Sequence, residues 1–225
     1  MRKLEKIKKY AESLAQASQW KYSKEAIANI NTIKKDERKK EYIYEFYCVM
    51  RIIDDLLIDY KIEVVNPNKI VVFPKAPSLK KNYPYFLVKN LKGEVLFQLC
   101  IGVKIMGHID ETNAPDISFQ KKNSSVNPNY KDVFMIFDAK FKHRLNARVS
   151  DGEFSKICMM IDNLKCKNAE ANSSKIFKFK KLIEFHGNCL ISNGNAYKEN
   201  SKLHSHHCIK EIEKFDEDLN YKMIC

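Results

Sequence analysis

The chain has 225 residues, of which 44% are hydrophobic and 30% are charged, so it can bury a core and is not a disordered tail. Its 40 Lys and Arg residues against 28 Asp and Glu leave a net charge of +12, which favours nucleic acid or an anionic membrane surface as partner. No apolar run approaches the roughly 18 residues of a membrane span, and the charged N-terminus lacks a signal peptide's apolar core. We therefore expect a cytoplasmic protein that does not enter a membrane.

The first third of the chain is predicted to be helical. Apolar residues recur every three or four positions in segments 4–14 and 27–33. A longer helix is predicted for DERKKEYIYEFYCVMRIIDDLLIDY, with Arg51, Asp54 and Asp55 away from its apolar stripe. We expect an N-terminal helical region over 1–35 and a main domain over 36–225. The stripe of the long helix consists of Tyr42, Phe46, Val49, Ile53, Leu57 and Tyr60.

Short strands follow Tyr60, separated by turn-forming segments such as NPNK, NLKG and SSVNPN. The predicted strands are EVV, IVVF, YFLV, VLFQLCIGVKI, PDISF and DVFMIFDAKF. Beyond them we predict a helix in GEFSKICMMIDNLKC, a strand in KIFKFKKLIEF and a closing helix in HHCIKEIEKFDEDL. This order predicts an α/β fold in which helices flank a central mixed sheet.

Charged residues end the most apolar of these strands. Asp138 and Lys140 are separated by one residue, so they project from the same side of the strand. The preceding run, 133–137, is entirely apolar, as expected of a central strand. Asp116, in the neighbouring PDISF segment, would complete an anionic pocket beside an ammonium. Such a pocket suits Mg²⁺-dependent phosphodiester chemistry, because Mg²⁺ prefers oxygen ligands and activates a bound water.

This pattern resembles the PD-(D/E)xK nuclease superfamily. Its elements are Pro115-Asp116, a gap of 138 − 116 = 22 residues, and Asp138-Ala139-Lys140. The family often adds an acidic residue from an upstream helix, and Glu45 lies at the margin of the apolar stripe of the long helix. The order of helix, PD strand and DAK strand looks most like nuclease components of McrBC-type restriction systems and related defence nucleases.

The resemblance implies a restriction-endonuclease-like core and a Mg²⁺-dependent endonuclease that cuts DNA, with Mn²⁺ as an alternative metal. Glu45, Asp116 and Asp138 would hold the metal, and Lys140 would position or polarise the attacking water. In-line attack would leave a 5′-phosphate and a 3′-hydroxyl. Because the chain has little room for a recognition domain, a partner ATPase, a target-recognition subunit or homodimerisation would supply control.

Other interpretations of the same residues stay open. Pro-Asp is a common turn dipeptide, and an Asp beside a Lys at a strand end is often a solvated ion pair. A non-catalytic nucleic-acid-binding or assembly subunit would bind DNA in a salt-dependent way without cleaving it. An RNA-directed nuclease would use the same site, so only a panel of substrates separates it from a DNA nuclease.

Five residues are candidates for extending the site. Gln98 lies on a predicted strand, where it is either near the metal pocket or a core glutamine. His143 and Arg144 follow the DAK strand and would either contact a phosphate or lie on the surface. Asp110 and Glu111 are close to Asp116 in sequence, and we interpret them as turn residues.

A histidine-rich segment is the alternative metal site. The segment contains His204, His206, His207 and Cys208. On a helix, His204 and Cys208 would share a face, because they are four residues apart. Structural zinc sites use two separated ligand pairs, and no second pair is evident. The seven cysteines contain no CxxC pair, which argues against a zinc ribbon or a disulfide framework.

The cationic residues are mostly lysine, since only 5 of the 40 are Arg. Lysine is a compact point charge for phosphate, whereas bidentate base recognition favours arginine. The paired lysines therefore indicate backbone contacts with little sequence selectivity, although a charge run is often a solvated face and a Lys-rich composition can reflect an AT-rich genome. The pairs are Lys34-Lys35, Lys39-Lys40, Lys80-Lys81, Lys121-Lys122 and Lys180-Lys181.

Overall fold

A mixed eight-stranded sheet forms the centre of the molecule. The computed structural model of the protein describes residues 5, 9, 39–65, 76–144, 146–197, 201–216 and 221–224. The predicted N-terminal helical region, 1–35, therefore lies outside the described residues except for Glu5 and Lys9, which are helical, and so does the predicted IVVF strand. Among the described residues, no helix has the combination of length and apolarity that crossing a bilayer requires.

The strands are β1 Lys61–Val65, β2 Tyr85–Lys89, β3 Val95–Ile101, β4 Ile105–Met106, β5 Thr112–Asn113, β6 Ile117–Lys121, β7 Val133–Lys140, β8 Asn188–Ser192, β9 Ile209–Glu213 and β10 Lys222–Ile224. Those of the large sheet lie in the order β1-β2-β3-β6-β7-β8-β9-β10. Pairing is antiparallel from β1 to β7, parallel for β7 with β8 and β8 with β9, and antiparallel again for β9 with β10. A small antiparallel pair, β4 and β5, lies apart from the large sheet.

Helices cover both faces of the large sheet, so the predicted α/β fold with a central mixed sheet is confirmed. The helices are α1 Lys39–Leu56, α2 Asp151–Leu164, α3 Ala169–Ser173 and α4 Ser201–His207. Alternate residues of β7 enter two separate cores: Phe137 packs with residues of α1, while Ile136 packs with Ile157 of α2. Because both faces are covered, β7 is apolar without interruption from Val133 to Phe137.

Two local signals explain where α2 begins and where β3 ends. Ser150 caps α2 by accepting a hydrogen bond from the Glu153 backbone N–H, and the Glu153 carboxylate accepts one from the Ser150 N–H in return. After β3, Gly102 adopts φ 56°, a left-handed conformation that glycine tolerates, and its N–H donates to the Asp116 carbonyl. The predicted VLFQLCIGVKI strand therefore ends at Ile101, and Ile105 belongs to the small β4–β5 pair.

Two predicted elements of the C-terminal third are wrong. KIFKFKKLIEF is not a strand, because its backbone N–H groups at 180–182 donate to the Asp55 side chain and only a short 3₁₀ turn, Ile183–Phe185, follows. The described part of HHCIKEIEKFDEDL does not form the predicted helix, because α4 ends at His207 and Cys208 turns the chain with φ 53° into β9. In both segments, contacts distant in sequence override the local pattern.

Candidate functional site

Antiparallel pairing of β6 and β7 places the PD and DAK segments side by side. Ile117 pairs with Phe137, so Asp116, immediately before β6, lies opposite the end of β7. The Asp116 carboxylate accepts a hydrogen bond of 2.7 Å from the Ala139 backbone N–H, which fixes its position there. The strand-end cluster that the sequence predicts therefore forms.

One ammonium bridges two carboxylates in this cluster. Lys140 Nζ lies 2.6 Å from Asp138 Oδ2 and 3.6 Å from Asp116 Oδ2. Burial opposes the charge on Lys140, but Asp116 and then Asp138 outweigh that effect and raise the pKa of the ammonium above its usual value. Burial and the nearby charge of Asp138 raise the pKa of Asp116 well above its ordinary range, and Lys140 opposes this.

Asp138 lacks the donors that a buried carboxylate normally has. Its side chain is 0% exposed. Apart from the Lys140 ammonium, the described residues place no hydrogen-bond donor on either of its oxygens. A buried carboxylate with so few donors is unfavourable unless a cation is close, and Lys140 is the cation that the described residues supply.

Glu45 reaches the same site from α1. Burial raises its pKa to about 7, with Lys140 lowering it and Asp138 raising it further. Glu45 thus interacts electrostatically with both charged residues of the DAK segment, and it lines the same cavities as Lys140. The helix-borne acid that the sequence predicts is therefore close to the strand cluster.

Two cavities open beside this cluster and share one wall. One has a volume of about 450 Å³ and extends to the start of α2 at Ser150 and Gly152. The other has a volume of about 300 Å³ and includes Asp116. We call the two together the cleft; its shared wall consists of Glu41, Glu45, Lys140 and Lys156.

The donor set of the cleft fits a hard divalent cation only in part. Asp116 and Asp138 present oxygens within 4 Å of the same ammonium, and Mg²⁺ is commonly bound by one or two carboxylates while keeping several waters. Within the described ranges, however, no three His, Cys, Asp or Glu side chains are arranged to hold a metal ion. Glu45 adds a third carboxylate near Asp116 and Asp138, but the three side chains do not form a three-ligand metal site.

The other predicted extensions of the site lie elsewhere. Gln98 is 5% exposed, and its side-chain oxygen accepts a hydrogen bond from the buried Lys80, so it is a core residue. Asp110 and Glu111 are exposed in the turn between β4 and β5, as predicted, and line neither cavity. His143 and Arg144 are also exposed, and they line neither cavity.

Lys80 corrects the interpretation of the lysine pairs as surface contacts. It is 1% exposed, and its ammonium donates to Gln120 Oε1 at 3.0 Å, Ser124 Oγ at 3.2 Å and the Ser125 carbonyl at 3.3 Å, besides Gln98. A lysine surrounded in this way by neutral oxygens cannot contact a phosphate on the surface. Its neighbour Lys81 is exposed.

The histidine-rich segment is divided among different environments. His204 is 1% exposed and lies 2.8 Å from Glu211 Oε2. His207 Nδ1 lies 3.6 Å from Asp162, whereas His206 and Cys208 are exposed. The absence of a three-ligand metal group in the described part of the chain extends to this segment.

Sequence reasoning missed two residues of the shared wall. Glu41 lies four residues before Glu45 and so on the same face of α1, a spacing that could have revealed it. Lys156 comes from α2 and has no motif around it, so only the packing of α2 beside β7 brings it to the cleft.

Comparisons of the chain with protein-family models, with curated proteins and with solved structures find no match.

Proposed function

We propose that the protein is a divalent-metal-dependent nuclease that hydrolyses phosphodiester bonds of DNA, on a restriction-endonuclease-like core. One observation carries this proposal: Asp138, fully buried, has among the described residues no compensating partner other than Lys140, and it lies beside Asp116, which lines the open cleft. The +12 charge of the chain agrees with a polyanionic substrate. Restriction, defence or mobile-element processing is the setting that the resemblance implies.

In this proposal Glu45, Asp116 and Asp138 would hold Mg²⁺ or Mn²⁺, as the resemblance implies. When bound, the metal would acidify a water and neutralise charge on the phosphate. Asp116 is held in place by the Ala139 N–H, which orients one carboxylate toward the cleft. The partly buried position of Glu45 on α1 keeps a third carboxylate near the others without closing the cleft.

Lys140 acts in this proposal as a donor and not as a base. Because Asp116 and Asp138 raise its pKa, the side chain keeps its proton at neutral pH. The ammonium can therefore hold the attacking water by hydrogen bonding or stabilise negative charge that develops on the phosphate oxygens.

Cleavage of plasmid DNA by the purified chain tests the proposal. We expect nicking or cutting with Mg²⁺ or Mn²⁺ and none with EDTA. Asp138→Ala and Lys140→Ala are expected to lower the rate by at least about a hundredfold, because each removes a charge that acts on the reacting phosphate. Circular dichroism melting of each variant shows that it is folded.

The matched control is Lys92→Ala, which removes a lysine charge from the exposed turn between β2 and β3. The β3–β6 register places Ile101 opposite Ile117 at the cleft, so this turn lies at the other end of the sheet. Its cleavage rate is expected to stay within about twofold of wild type. Undiminished cleavage by folded Asp138→Ala and Lys140→Ala would overturn the assignment.

A second candidate is a non-catalytic nucleic-acid-binding subunit. The observation that favours it is the position of Lys140, which already pairs with Asp138 and lies within 4 Å of Asp116, where the described residues form no three-ligand metal group. This candidate predicts salt-dependent DNA binding without metal-dependent cleavage. The same assay with single-stranded DNA, duplex DNA and RNA separates both candidates from an RNA-directed nuclease.

A partner ATPase, a target-recognition subunit and a homodimer are proposed sources of control. Co-purification and mass measurement in solution test each of them.

A further inference from the structure

Lys156 stands where the two cavities of the cleft meet. It projects from α2, is exposed, and lines both cavities together with Glu45 and Lys140. It is therefore the cationic residue that the α2 side of the cleft contributes to the shared wall.

Lys156 differs from the neighbouring lysines in its ion pairing. Lys140 is paired with Asp138, and Lys142 Nζ lies 2.5 Å from Glu153. Lys156 forms no ion pair within 4 Å in the described ranges, although its charge lowers the pKa of Glu45 from a distance. Its ammonium is thus available to an anion that enters the cleft.

The cleft needs such a cation if it is to hold a phosphate. Its lining also includes Glu41, Glu45 and Asp116, carboxylates that repel a polyanion whenever they are ionised. Resting on the proposed function, we propose that Lys156 binds the substrate phosphate next to the scissile one, with the flanking nucleotides in the two cavities. As a compact point charge, lysine suits a backbone phosphate and does not distinguish between bases.

A role of Lys156 in folding does not explain its position. The capping box of Ser150 and Glu153 fixes the start of α2, and Phe154, Ile157 and Ile161 bury its apolar face. Lys156 is exposed between these contacts, so Lys156→Ala should fold with a melting temperature close to that of wild type.

Fluorescence anisotropy with a labelled DNA oligonucleotide in EDTA measures binding without turnover. Lys156→Ala is expected to raise Kd about tenfold, since one charged hydrogen bond to phosphate is lost. The slope of log K against log salt should fall by about one, a change that a purely structural role would not produce. Lys156→Arg should restore most of the affinity, and Lys92→Ala, remote from the cleft, should leave Kd within about twofold.

Cleavage kinetics with Mg²⁺ provide the second readout. Lys156→Ala should raise KM about tenfold with little change in kcat, because the contact is made before the chemical step. Wild-type affinity and an unchanged salt slope in Lys156→Ala would overturn the inference, as would an equal loss in Lys92→Ala. If wild type binds without cleaving while Lys156→Ala binds weakly, the phosphate contact stands and the nuclease assignment fails.

Discussion

Asp55 and Asp138 are both buried aspartates, and their surroundings are opposite. Asp55, near the end of α1, is 3% exposed and accepts backbone hydrogen bonds from residues 180, 181 and 182 at 2.7, 2.6 and 2.8 Å. Asp138 is 0% exposed, and the Lys140 ammonium is its one donor among the described residues. The fold supplies three backbone donors to one carboxylate and none to the other.

One buried and one partly buried lysine repeat this contrast. Lys80 is surrounded by neutral oxygens of Gln98, Gln120 and the Ser124–Ser125 segment, and burial lowers its pKa. Lys140 lies between two carboxylates, which raise its pKa. A buried charge whose partners are complete stabilises structure, whereas a charge cluster with incomplete partners beside an open cleft is suited to ligand chemistry.

The largest expected effect separates activity from stability at Asp138. Asp138→Asn should reduce cleavage by at least about a hundredfold while changing the free energy of unfolding by less than about 1 kcal/mol. A negative charge beside Lys140 is lost, but the cost of burying that charge is lost as well, and Lys140 keeps Asp116 within 4 Å. Urea denaturation and plasmid cleavage measure the two quantities. If Asp138→Asn loses as much stability as Asp55→Ala, the variant described next, the contrast between the two aspartates is contradicted.

Asp55→Ala should show the reverse pattern. Its removal leaves three backbone N–H groups near 180–182 without their acceptor, so we expect the free energy of unfolding to fall by about 3 kcal/mol. Asp54→Ala, at the partly exposed neighbouring position, should change it by less than about 0.5 kcal/mol. Urea denaturation of the two variants tests this, and equal losses would contradict the role of Asp55 as an anchor.

Lys80→Met tests the neutral-oxygen environment. Methionine fills similar space but donates no hydrogen bond, so the Gln98 and Gln120 oxygens lose a donor. We expect the free energy of unfolding to fall by about 2 kcal/mol and cleavage to be retained by the folded protein. Lys81→Met, on the exposed side of the same turn, is the control in the same denaturation assay. Loss of cleavage in folded Lys80→Met would place Lys80 in the functional site.

His186 should make the stability of the protein sensitive to acid near the segment that Asp55 anchors, residues 180–182. This is the smallest of the expected effects. Burial lowers the pKa of His186, and its Nε2 accepts a hydrogen bond from the Phe179 N–H. The unfolded chain therefore binds the proton more readily, so stability is complete above the ordinary pKa of about 6.5 and is lost as pH falls through the lower folded-state pKa.

Urea midpoints of wild type and His186→Gln at about pH 7.5 and about pH 5 check this effect. The variant should lose less stability on acidification than wild type does. His143→Gln, at an exposed position, should behave as wild type. An identical acid dependence of wild type and His186→Gln would contradict the assignment.

Most elements around the site were predictable because their signals are local. The apolar stripe predicts α1, the uninterrupted apolar run predicts β7, and the spacing of Asp138 and Lys140 predicts a shared side, which their ion pair confirms. The burial of Arg51 and Asp55, placed away from the stripe by periodicity, was not predictable. Their partners include residues far along the chain, at 180–182 for Asp55.

The sequence by itself determined the uninterrupted apolar run of β7, the long helix before it and the residue types that end the strand. Tertiary structure alone decided which buried charges have complete partners. It surrounded Lys80 with neutral oxygens, covered Asp55 with backbone donors and brought Lys156 of α2 to the cleft. The physical reason is that periodicity depends on neighbouring residues, whereas the partners of a buried charge come from segments distant in sequence.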